Sequence, residues 1–70
     1  MKQAIITWRD SMLYNEQTEL QEYPIEVIIS IGWLIIEDKD RVVIARDKIG
    51  NEWRGVVAIP RENIVKLLIK

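Results

Sequence analysis

The chain contains neither histidine nor cysteine, which removes most side chains able to do chemistry near neutral pH. Without imidazole or thiol no Cys–His or Ser–His pair can be assembled, and the nitrogen and sulfur ligands of structural zinc are missing. The remaining nucleophiles are Ser11, Ser30 and the lysines, and none has an activating base at a recognisable spacing. Glu37, Asp38 and Asp40 offer oxygen ligands for a hard cation. An acidic cluster between two apolar runs is more simply read as a solvated turn. Glycines 32, 50 and 55 lie apart, so no glycine-rich phosphate loop can form. The expectation is a protein that is not an enzyme and takes no cofactor or metal.

Two groups of residues suit binding. Arg41, Arg46, Lys48, Arg54 and Arg61 fall in the second half of the chain, with Trp53 beside Arg54. A basic stripe with an exposed indole is what phosphate contact and base stacking require, so Arg41, Trp53, Arg54 and Arg61 form the candidate nucleic-acid surface. Asp38, Asp40, Asp47, Glu52 and Glu62 are interleaved with them, and the chain carries 10 basic against 11 acidic groups. Cross-strand ion pairing accounts for that pattern without a polyanion.

The second group is apolar. Strict alternation over residues 64–69 puts Val65, Leu67 and Ile69 on one face and Ile64, Lys66 and Leu68 on the other. A half-solvated strand should be polar on one face, yet only Lys66 is. Ile28, Leu34 and Ile36 repeat the surplus earlier in the chain. Surplus apolar residues in a small domain mark a protein interface, and Ile28, Ile64, Lys66 and Leu68 are the candidate contact residues. The expected partner is a second copy of the chain or another protein.

Five apolar, β-branched segments must position these residues: 4–8, 25–37, 42–45, 53–59 and 64–69. In the longest, Ile25, Val27, Ile29, Ile31, Trp33 and Ile35 alternate without a break, which predicts a core face made of that set. Gly32, where the other face turns apolar, predicts a bend or bulge. Trp8 and Trp33 are expected in the core and Trp53 nearer the surface. Residues 37–41 and 47–51 read as turns, and Pro60 interrupts the fourth strand because it cannot donate to a ladder. Residues 11–23 read as either a short helix, with Thr18 and Gln21 at capping-box spacing, or an irregular segment.

Short antiparallel strands that avoid open edges close into barrels, so a mainly β, five-stranded barrel is expected. From residue 25 to 69 the chain resembles the small-barrel superfamily of Src-homology-three domains and Sm-like proteins. Gly32, Leu34 and Asp38 fall where the first Sm signature has glycine, leucine and aspartate, and Ile59, Asn63 and Ile64 match the second. Val42 stands where that family's base-contacting asparagine would be, and Pro60-Arg61 replace its arginine-glycine pair. Ile59-Pro60 with Asn63-Ile64-Val65 is similar to the closing turn of Src-homology-three domains, one residue longer. The tyrosine expected after the asparagine is Ile64 here. The resemblance implies an SH3-like or Sm-like barrel, with RNA binding or peptide binding as the activities of those families. The chain also looks like short barrel proteins of phage and bacterial genomes, which implies no activity.

Seventy residues make one domain spanning 1–70. Cores this small seldom supply more than roughly 3–5 kcal/mol and are commonly reinforced by disulfides, metals or self-association; only the last is open to this composition. No apolar run approaches the ~20 residues of a membrane span. No secretory leader is legible at the N-terminus, so a cytoplasmic location is expected.

Overall fold

The computed structural model describes residues 1–10 and 26–70; the helix-or-irregular alternative for 11–23 lies outside the described residues. Five strands form one antiparallel sheet: β1 (Gln3–Asp10), β2 (Glu26–Glu37), β3 (Arg41–Ile49), β4 (Glu52–Pro60) and β5 (Ile64–Ile69). Their order across the sheet is β4-β3-β2-β1-β5. A 3-10 turn, Arg61–Asn63, joins β4 to β5 and rests on β1. The mainly β class follows from the β-branched runs; β1, β3 and β4 run past their expected limits, and β5 matches its own. β3 in particular continues through Asp47 and Lys48 to Ile49, so that the β3–β4 hairpin turns on Gly50-Asn51 alone.

Ala4 and Ile6 of β1, Val42 and Ile44 of β3, and Ile59 of β4 form one buried cluster. In a flat sheet β1 and β4 would stand roughly 14 Å apart, three strand spacings, so their burial together requires the sheet to curl on itself. Trp8, Leu34, Val57, Ile64, Leu67 and Ile69 pack around the cluster. No charged or polar residue is buried among the described residues. The interior is therefore held by apolar burial and the hydrogen bonds between strands.

The curl has two local causes in β2. A Cβ on Gly32 would stand 2.6 Å from the Ala45 carbonyl oxygen of β3, so only glycine permits that approach. Immediately afterwards the β2–β3 register shifts between Leu34 and Ile36. The extra residue is a bulge, which sharpens the bend and exchanges the two faces of the strand. The bend expected at Gly32 is present, and the sheet curls as a small barrel does. Among the described residues it does not close: β4 and β5 are its two edges.

Two expected face assignments are reversed. Val27, Ile29 and Ile31 are not core; Ile29 and Ile31 are 66% and 65% exposed. Ile28, Ser30 and Gly32 share the inner face with their partners Trp8, Ile6 and Ala4. Trp33 pairs with Gln3 and Ala45 on the outer face and is half-buried, whereas Trp8 packs on the core and donates its indole N–H to Ser30 Oγ at 3.0 Å. The physical reason is that β2 has apolar residues on both faces, and its inner one carries the small Ser30 and Gly32. Its own alternation is then indifferent, and the smaller residues of β1 (Ala4 opposite Gly32) decide which face fits inside. In β5 a register shift opposite Thr7 and Trp8 brings Ile64 onto the same side as Leu67 and Ile69, and leaves Val65 58% exposed.

Candidate functional site

Cross-strand partners share a face, so the register defines the outer surface row by row. Leu68 of β5, Ile5 of β1 and Ile31 of β2 make one row. Lys66, Thr7 and Ile29 make the next. Trp33 and Val56 lie on the same side, to either side of the fully buried Ala45. Ile29, Ile31, Leu68 and Val56 are all exposed. The first two rows give the outer face an apolar strip of Leu68, Ile5, Ile31 and Ile29, beside Lys66 and Thr7. Single exposed apolar residues need no explanation, but a contiguous strip does.

Of the four contact residues expected from the sequence, the structure places only Leu68 on this strip, with Lys66 beside it. Ile64 packs against the core, and Ile28 stands opposite Trp8 on the inner side. Both are displaced from the expected surface by face exchange, Ile64 through the β5 register shift. Ile5, Ile29 and Ile31 were not among the expected contact residues. Their signal was present in the surplus apolar residues of β2, which exceed what one face needs.

The basic residues are differently situated. Arg54 Nε donates to Asp47 Oδ1 at 2.8 Å and Arg46 Nε to Asp47 Oδ2 at 3.2 Å. Arg61 donates to the Asp38 carbonyl oxygen at 2.8 Å and to Glu37 Oε2 at 3.1 Å. Arg41 lies 3.6 Å from Asp38 Oδ2. Trp53 is half-buried, and the Lys48 ammonium sits 5.0 Å above its ring centroid, a cation–π contact. Each cation of the candidate nucleic-acid surface thus faces a carboxylate of the chain itself. The hydrogen bond from Arg54 holds the Asp47 carboxyl below its ordinary pKa, and Asp47 in turn raises Arg54.

Asp38 belongs to the turn. Its Oδ1 accepts the backbone N–H groups of Asp40 and Arg41, both at 2.9 Å, and these bonds lower its pKa. That is an Asx-type turn. Among the described residues no three acidic side chains converge as metal ligands, and the surface offers no enclosed pocket. No helix among them is long and apolar enough to cross a membrane. The chain matches no protein-family model, no curated protein and no solved structure.

Proposed function

We propose that the chain is a small binding or assembly module without enzymatic activity, acting through protein–protein contact on the outer face of an SH3-like or Sm-like barrel. The observation that carries this reading is the strip Leu68–Ile5–Ile31 with Ile29 beside it, in which Ile29, Ile31 and Leu68 are exposed while Ile6, Val42 and Ile59 already fill the inner face. Burying such a strip against a partner recovers the stabilisation lost by leaving it in water, roughly 25 cal/mol per Å² of apolar surface. The strand order and the glycine-bent β2 support the barrel type. RNA contact has less support, because Arg41, Arg54 and Arg61 would each have to leave a carboxylate partner. A cytoplasmic site of action is part of the same reading.

The test is site-specific photocrosslinking in the native cell. A photoreactive phenylalanine analogue at Ile31 is expected to yield a discrete adduct, identified by mass spectrometry as either the chain itself or one other protein. The same analogue at Lys39, in the β2–β3 turn, should yield none. Absence of any adduct at Ile31, or indiscriminate adducts at both positions, removes the reading.

A further inference from the structure

The two edges of the open sheet are unequal. β4 ends on Pro60, which has no N–H, carries Glu52 and Arg54, and is kinked at Gly55, whose φ is +64°. A Cβ there would lie 2.8 Å from the Arg46 Cβ, so the kink requires glycine. These are the devices by which an edge is protected from pairing. β5 is less protected, by Lys66 and the register shift beside Val65. It is Ile64-Val65-Lys66-Leu67-Leu68-Ile69, with one charge and neither proline nor glycine.

The backbone polarity of that edge can be read from its pairing with β1. Gln3 and Lys70 exchange both N–H···O bonds, at 3.1 and 2.9 Å. In an antiparallel ladder such pairs alternate with non-bonded ones. Leu68 and Lys66, opposite Ile5 and Thr7, therefore turn their amides toward β1. Leu67 and Ile69 turn theirs to the open side.

We infer that β5 pairs antiparallel with β5 of a second copy, in the register that sets Leu67 opposite Leu67. This rests on the contact reading above and names its partner. A two-fold axis puts one residue opposite itself, so few registers exist. Centring on Lys66 sets two lysines face to face, and centring on Leu68 sets Lys66 against Lys70. Centring on Leu67 avoids both. It sets Leu67 and its own image as a hydrogen-bonded pair and puts Lys66 beside Leu68 of the second copy, where the lysine stem covers leucine. The outer rows then join, with Ile31, Ile5 and Leu68 of one copy continuing into Lys66, Thr7 and Ile29 of the other.

Opposite charges introduced at position 68 read this register directly. In it each residue 68 faces Lys66 of the second copy, twice per dimer. Leu68→Lys is expected to weaken the dimer roughly tenfold, since like charges directly opposite are destabilising. Leu68→Glu is expected to stay within about threefold of the parent. Lys66→Glu combined with Leu68→Lys should restore association. Sedimentation equilibrium measures all four proteins, with circular dichroism confirming that each is folded. Independently of any variant, Leu67 and Ile69 amide exchange should slow as the parent's concentration rises. Equal weakening by Lys and Glu overturns the register, as does Leu67 exchange independent of concentration. A parent that stays monomeric overturns the second copy as partner. In that case an Ile31 adduct with a different protein leaves the contact reading standing, and no Ile31 adduct removes both.

Discussion

Asp38 shows how little of this molecule's polar chemistry reaches beyond its own turns. Its carboxylate satisfies two backbone N–H groups that β2 leaves unpaired as it reverses into β3, and Asp47 does comparable work between Arg46 and Arg54. Both carboxyls titrate below their ordinary value of 3.8. A group depressed on folding stabilises the fold fully above its unfolded pKa, and that stabilisation is lost as pH falls through the folded value. The thermal midpoint should therefore drop as pH is lowered from about 5 to about 3, and Asp38→Ala should show a shallower drop over the same range. A variant curve parallel to the parent's would contradict this origin. The turn role of Asp38 was legible from Glu37-Asp38-Lys39-Asp40 between apolar runs. The pairing of Arg54 with Asp47, seven residues apart, was legible only as interleaved charge, because the partner depends on strand register.

At the scale of the strands, the informative case is β2. Every strand was visible as a β-branched run, and Gly32 announced the bend, but neither face of β2 could be chosen from its own residues. Val27, Ile29 and Ile31 alternate as well as a core face would, and the bulges after Leu34 and beside Val65 are invisible to a period of two. What settles the faces is fit between strands, since Gly32 admits the Ala45 carbonyl and Ala4 stands opposite it. Ile6→Ala, at a fully buried position, should cost about 2–5 kcal/mol, comparable to the whole stability of a domain this size. Ile29→Ala should change stability by less than about 0.5 kcal/mol. Urea unfolding of both variants, compared at equal slope, checks the pair. A large loss at Ile29 would return that residue to the core and remove the outer strip with it.

Taken whole, the molecule is a curled sheet whose two halves meet only because β1 and β5 lie over β3 and β4. The contacts that bury Ile6 against Ile59 join residues far apart in the chain, and β1 pairs with the last strand across three intervening ones. Loop closure must precede any reward from such contacts, so folding should take milliseconds to seconds. Stopped-flow tryptophan fluorescence, following Trp8 as it is buried, measures this. Relaxation in microseconds would mean that local structure, not the distant pairing, limits the rate. The same sheet order has a consequence during synthesis. β1 emerges from the ribosome first, yet it occupies an interior position and needs neighbours on both sides. β2 arrives early; β5 arrives only after β3 and β4, on the order of seconds later at cellular elongation speeds. For that interval Ala4-Ile5-Ile6 presents a bare strand edge to every other nascent chain nearby. Slowed elongation through β3 and β4 would lengthen the exposure, and early termination before Ile64 would make it permanent.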